Sequence, residues 1–406
     1  MVQKILVISP VQLFPAYSGN RKRIRKICTE LMNEGYKLDF FYIGFDAVIS
    51  SEHKAFFNGN VLQHRVDDGK IQFLKHPILR FKELLNGLLI RADRLKRRIL
   101  DGKNSARYNK SIYEYKNIKK IELLRKQLRG NSYKAVLLNY AVYAFYFDLF
   151  GRKTLKILDT HDYLSDRFKL YLENGDEPVD WHSLRYSDEK HAVNKADVIW
   201  AITEQESEHY KKMVSGRKSR VMTLRHVIPF NKIESGNSGN RILLIGSDNA
   251  LNIDGLKWFL DNVWPGLHLE CKNVELIVAG SICKAENQFQ HADGVRFYGK
   301  YDSHDEVYSL ADICINPMLQ GTGLKIKTLE ALSHGKIVVA TTAGASGLDD
   351  LTGNGLICSD DPVTWIRELA LLLKNPDQIP ETVDALDQIM AAIYKDNVSV
   401  IRDSLS

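Results

Sequence analysis

The chain contains no C-x-x-C pair and no G-x-G-x-x-G fingerprint. Its five cysteines, Cys28, Cys271, Cys283, Cys314 and Cys358, lie far apart and mostly in apolar segments. That spacing argues against a disulfide framework and for reduced, buried thiols in a cytoplasmic protein. Without a glycine-rich fingerprint after the first predicted strand, a dinucleotide cofactor is disfavoured. The most apolar run, 135–150, falls short of a membrane span and contains Asn139 and Asp148. Residues 1–10 are too few for a signal peptide and read as a first strand.

What is present is a globular composition, 44% hydrophobic and 26% charged, in 406 residues. That length favours two domains of about 200 residues each. The net charge of +6 conceals an asymmetry. Residues 75–130 carry 17 Lys/Arg against 5 Asp/Glu, a balance of +12, so the remainder carries −6. Within that segment, Ile78, Leu79, Phe81, Leu84, Leu85, Leu88 and Leu89 fall at helical spacing, followed by Arg91, Arg94, Lys96, Arg97 and Arg98. Such a helix either lies on an anionic membrane surface or packs its apolar side into a core. No nucleic-acid motif accompanies the charge, so no nucleic-acid partner is expected.

Strands alternate with helices through both halves. Strands are expected at 4–9, 37–43, 134–138, 155–158 and 197–201, with a helix at 21–33. The second strand pair ends in Asp159-Thr160-His161-Asp162, a polar cluster where open α/β sheets place ligands. The Ser/Gly stretch 235–240 marks a boundary, and the pattern restarts at 241–245. Expected domains are residues 1–228 with the basic helical insertion at about 75–130, a linker at 229–239, and a second domain at 240–385. A terminal helix, 386–406, is expected to pack back on the first. The fold class is α/β, two nucleotide-type halves whose ligand would lie in a cleft between them.

The most informative stretch is 316–342, NPMLQGTGLKIKTLEALSHGKIVVATT. It reads as the end of a buried strand, a glycine loop, a helix from Leu324 and another buried strand. The unpaired amides at such a helix start favour an anion. Lys325 and Lys327 sit where cations oppose the helix dipole, so a bound polyanion accounts for them better than helix stability does.

With LLIGSDNALNIDGLKWFLDNVWP and ADICINPMLQGTGLKIKTLEALSHGKIVVATTAGASGL, the chain resembles the retaining glycosyltransferases of family 4, which have the GT-B fold. LDTHDYLSDRF and KADVIWAITEQE extend the resemblance more loosely, and residues 45–130 match only in outline. The resemblance implies transfer of a sugar from a nucleotide-diphosphate donor to an acceptor hydroxyl, with the donor on the second domain and the acceptor on the first. Glu330 matches the glutamate that accepts from the ribose hydroxyls. Its usual partner glutamate falls on Thr322, so that contact with the donor sugar would come from Thr322, from the amides of Gly323 and Leu324, or be absent. The family's basic pair belongs in the loop after Gly246, where Ser247 and Asn252 stand uncharged. Lys325 and Lys327 are therefore expected to take over the diphosphate. His161 with Asp162 resembles the first-domain histidine beside the reacting sugar, and these two are the candidate catalytic residues. Gly19, Asn20 and Arg21 would lie by the phosphates or the acceptor. No D-x-D tripeptide occurs, so a metal-independent enzyme without cofactor is expected. The implied setting is surface-glycan synthesis on the cytoplasmic face, with peripheral membrane attachment through residues 77–129. Two rivals are a degenerate, non-catalytic scaffold and an NAD-dependent epimerase or dehydrogenase. The latter has Y-x-x-x-K matches at 186–190 and 115–119 but no glycine fingerprint.

Overall fold

The computed structural model describes residues 2–15, 18–44, 49–63, 77–173, 183–216, 218–236, 240–289, 293–321 and 323–406. The chain divides into two compact units, Met1–Arg225 with Val398–Ser406, and His226–Asn397.

Among the described residues, the first unit holds a parallel sheet in the order β3-β2-β1-β4-β5-β6-β7. Its strands are β1 (Lys4–Ser9), β2 (Lys37–Tyr42), β3 (Val61–Gln63), β4 (Ala135–Asn139), β5 (Leu155–Asp159), β6 (Val198–Ala201) and β7 (Arg220–Thr223). β1 and β4 lie side by side with Ile5 to Ile8 in register with Ala135 to Leu138. Both are continuous apolar runs because helices cover both faces of a parallel sheet. The strands β3 and β7 escape sequence reading, since edge strands are short and only partly covered. Trp200, fully buried on β6, donates through Nε1 to Ser404 Oγ at 2.8 Å, and Arg402 pairs with Glu34 at 2.7 Å. These bonds fix residues 398–406 in this unit.

The helix Pro77–Leu100 forms as its spacing predicts, but it is turned inside out. Ile78, Phe81, Leu84, Leu85, Leu88 and Leu89 face solvent, so the core-packed reading fails. The inward side is polar and held by charge. Lys82 pairs with Glu122 at 2.6 Å, Asp93 with Arg185 at 2.8 Å, and the buried Arg97 with both Asp93 and Glu114.

In the second unit the described strands follow the order β10-β9-β8-β11-β12-β13, again all parallel. They are β8 (Arg241–Ile245), β9 (Glu275–Ala279), β10 (Val295–Gly299), β11 (Ile313–Asn316), β12 (Ile337–Ala340) and β13 (Leu356–Cys358). Trp264, Phe259 and Trp365 pack together beside the sheet. Residues 231–235, inside the segment expected to be a linker, are bound to this unit. Asn231 and Ile233 donate backbone bonds to Ser333 and His334, and the buried Lys336 ammonium donates to Ile233 O at 2.7 Å and Ser235 Oγ at 2.8 Å.

The order of each sheet reverses once, between β1 and β4 and between β8 and β11. The crevice outside the strand ends at such a reversal is where open α/β sheets hold ligands. Replacing Lys336 by Ala would remove the donor to the half-buried Ile233 carbonyl and leave the Ser235 hydroxyl bonded to Asp312 alone. A loss of about 1–3 kcal/mol is expected in urea denaturation, from the lost charge-assisted bonds.

Candidate functional site

In the second unit, three segments meet at the β8/β11 reversal. The first is the loop after β8. Gly246 is packed so tightly against Ile282 that a Cβ would lie within 2.9 Å of its side chain. Asn249 caps the helix Ala250–Asn262 by accepting from the Asn252 amide at 3.0 Å. Asn252 Nδ2 in turn donates to the Ser247 carbonyl and hydroxyl, both at 2.9 Å. The expected uncharged residues Ser247 and Asn252 are thus bonded to each other.

The second segment is the glycine loop after β11. Gly321 and Gly323 adopt φ of +133° and +74°, which side-chain-bearing residues rarely reach. Thr322 lies outside the described residues. Because the chain is still unwinding from that loop, the helix begins at Ile326 rather than Leu324, and runs Ile326–Ser333 with Lys325 as its N-cap. Lys325 is 7% exposed, and its ammonium donates back to Gly323 O at 3.3 Å. Lys327 points the other way, and its ammonium donates to Asn252 Oδ1 at 3.2 Å. The backbone at Leu324, also buried, leads into that start.

The third element is Glu330, one turn further on and only 5% exposed, so it is not a solvent-facing helix glutamate. Tyr301 and Tyr308 lie within its electrostatic reach. Burial first, and the Glu330 charge second, push the Tyr301 phenol up to about 12 and Tyr308 well above its ordinary value. His334 Nε2 lies 3.4 Å from His304 Nδ1 on the same side. Burial pulls His334 below its usual value, with the neighbouring His304 adding to it. This aromatic and histidine surround of Glu330 had no motif to announce it.

The first unit gathers a separate group at its β1/β4 reversal. His161 follows β5 and Tyr140 follows β4, and both have left-handed backbone, φ +65° and +69°. Their rings stack at 4.3 Å with 13° between planes. Two strained non-glycine residues at neighbouring strand ends are a feature that functional sites retain. Asn20 Nδ2 donates to the Tyr140 hydroxyl at 3.0 Å. Gly19 opens the helix Gly19–Asn33, and Arg21 bonds back to the carbonyls of Phe14 and Pro15.

The expected His161–Asp162 pair is not what forms. His161 Nε2 lies 3.0 Å from Asp159 Oδ2, whereas Asp162 pairs with Arg167 at 3.2 Å. The reason is the left-handed turn, which folds the ring back over the strand end. Asp159 is fully buried with Arg23, whose Nη2 donates to it at 2.7 Å. Burial alone would raise the Asp159 pKa, but the Arg23 guanidinium and the His161 ring hold its carboxyl well below the usual aspartate range. Arg23 and Tyr140 carry no motif in the sequence; Asn139 and Asp159, polar residues closing two apolar strands, are the available signal.

Removing Arg23 leaves a buried carboxylate with only His161 and Asn139 beside it, so Arg23→Met should cost roughly 3 kcal/mol at pH 7. Because the folded carboxyl is depressed, this stabilisation is complete above the unfolded aspartate value near pH 4 and is lost as pH falls below it. Urea denaturation across pH 7 to 2 should therefore show a shallower acid decline in Asp159→Asn than in the parent.

Residues 239–375 match the sequence profile of the family described as Glycosyl transferases group 1. An uncharacterized 44.6 kDa protein of the cps region of Klebsiella pneumoniae is 30% identical over 137 residues, a match spanning 30% of this chain and 34% of that one. The match thus covers about a third of the curated relative's length. Over the whole chain the fold matches solved structures. The Anabaena protein HepE, in complex with UDP and glucose, aligns with TM-score 0.61 and 13% identity over 99% of this chain and 97% of its own. The lipopolysaccharide outer core galactosyltransferase WaaB aligns with TM-score 0.56 and 13% identity over 99% and 100%. Residues 239–375 thus match the Glycosyl transferases group 1 profile, and the fold of the two parallel-sheet units matches GT-B structures.

Proposed function

We propose that the protein is a retaining, metal-independent glycosyltransferase of family 4 that moves a sugar from a nucleotide-diphosphate donor to an acceptor hydroxyl in surface-glycan synthesis. The donor belongs to the second unit and the acceptor to the first. The observation that carries this reading is Lys327, held 3.2 Å from Asn252 at the loop after β8, with Glu330 buried one turn further along its helix. That arrangement puts a cation beside the loop where the family places its own. HepE, bound to UDP and glucose, makes UDP the first nucleotide to try.

In this mechanism Glu330 accepts from both ribose hydroxyls, and Lys325 and Lys327 neutralise the departing diphosphate as charge develops on it. Preorganised donors of this kind act most strongly where charge appears only in the transition state. The amides of Gly323 and Leu324 bond the donor sugar. His161, its ring set by Asp159 and Tyr140, bonds a hydroxyl of the reacting sugar or the acceptor.

The helix Pro77–Leu100 supplies the location. Phe81 and Leu84 are 65% and 64% exposed on its outer side, and Arg91, Arg94, Lys96 and Arg98 lie exposed beyond them. Apolar side chains flanked by cations suit the head-group layer of an anionic bilayer. The enzyme is then a peripheral protein on the cytoplasmic face of the membrane. Among the described residues no helix is long and apolar enough to cross one.

Kinetics with UDP-sugars test the donor assignment. Lys327→Ala and Lys325→Ala should each lower kcat by about 10²-fold, the scale of losing one transition-state donor. Glu330→Ala should raise donor KM by about 10- to 100-fold, the scale of a lost charge-assisted bond. Wild-type rates in both lysine variants would refute the diphosphate assignment. Flotation with vesicles containing phosphatidylglycerol tests the membrane assignment. The parent should co-float at low salt and Phe81→Ser/Leu84→Ser should not.

A further inference from the structure

We propose that Glu189 is a positioning residue for the transfer reaction, its carboxylate holding the loop 162–165 so that His161 stays stacked on Tyr140 and beside Asp159. The proposal rests on the reading that His161 bonds the reacting sugar or the acceptor, and it names what keeps that ring in place.

Three observations converge on it. The first is strain. His161 and Asp166 both have left-handed backbone, φ +65° and +49°, and they bracket the loop. Each such residue costs on the order of 1–3 kcal/mol and persists only where its surroundings over-determine it. Before His161 the restraint comes from the sheet, because Thr160 donates through its amide and its hydroxyl to Trp200 O on β6, at 3.1 and 2.9 Å. After His161 the chain leaves the sheet. An isolated bridge from Ser165 to Leu184 and the side chain of Glu189 receive it.

The second is where Glu189 directs its bonds. It is fully buried on the helix Tyr186–Val193. Its Oε1 accepts from the Leu164 amide at 2.9 Å, and its Oε2 accepts from the Ser165 hydroxyl at 2.5 Å. The Tyr210 hydroxyl lies 3.1 Å from Oε1 and 3.0 Å from the Asp162 carbonyl, so its one hydrogen is shared between carboxylate and loop. Burial pushes the Glu189 carboxyl up, against the pull of these donors. The bonds all run to the loop, or to a side chain that also touches it.

The third is that Glu189 is itself held. Arg185, directly before its helix, pairs with Asp93 at 2.8 Å, with Asp188 at 2.9 Å and with Asp101 at 3.4 Å. A side chain places its neighbour only as well as it is placed itself.

Kinetics and histidine NMR on the full chain test this. With a UDP-sugar, Glu189→Ala should lower kcat by about 10²-fold, the scale of a misplacement near 1 Å, and leave donor KM within about twofold. Glu189→Gln should recover most of that rate, because its carbonyl serves Leu164 and its amide donates to a turned Ser165 hydroxyl. Leu124→Ala, which truncates the core of the same unit, should lower Tm at least as far and leave kcat unchanged. Equal loss of kcat in Leu124→Ala would reduce Glu189 to general stability and overturn the proposal. The NMR signal of the His161 ring, set by stacking on Tyr140, should move in Glu189→Ala and stay in Glu189→Gln. An unmoved signal in folded Glu189→Ala also overturns the proposal. If Glu189→Ala does not fold, Ser165→Ala/Tyr210→Phe strips two donors from an intact carboxylate, and parent-like kcat and signal in that double variant overturn it equally. If the parent transfers no sugar from any nucleotide donor while the His161 signal still depends on Glu189, the transferase reading falls and the hold on His161 stands.

Discussion

A parallel strand cannot reach its neighbour through a tight turn. It needs a crossover, so all the strands of a parallel sheet end on the same edge. Both units obey this constraint, and both reverse their strand order once along that edge. The reversal leaves the loops after β1 and β4, and those after β8 and β11, with no crossover helix packed between them. The side chains that matter follow from it. Asn20 and Tyr140 meet beyond one such pair of strands, and Asn252 and Lys327, in the first turns of the helices that follow, meet beyond the other.

Charge at these edges is arranged differently in the two units. In the first, Asp159 is sealed beneath the surface with Arg23, and its negative charge reaches outward only through His161. A buried ion pair of this kind is a weak source of net stability, but it is costly to break and so fixes geometry. In the second, Glu330 and Lys325 are both nearly buried on one short helix, among aromatic rings and glycine backbone. Groups already removed from water need little rearrangement when a ligand arrives, which is the physical meaning of preorganisation.

Much of this was legible in the sequence. The apolar runs that became β1, β4, β8, β11 and β12 announced parallel strands, and the glycines at 321 and 323 announced the turn before Lys325. What stayed hidden had no local pattern. The edge strands β3 and β7 are too short and too thinly covered to show periodicity. His161 sits next to Asp162 in the chain, yet a left-handed turn gives it to Asp159, and backbone handedness is not written in residue type except at glycine. The helix Pro77–Leu100 had the right period, but amphipathic spacing alone does not say which side faces the protein.

That helix also has two sides that answer to salt in opposite ways. Inward it is held by ion pairs such as Lys82–Glu122 and Asp93–Arg185, which screening weakens to the extent that water reaches them. Outward it shows leucines and a phenylalanine, whose association is strengthened by excluded salts such as sulfate. Adding an excluded salt such as sulfate therefore loosens the helix from its own domain while making its free side more adhesive. Buffer composition thus bears on whether the protein stays dispersed in solution.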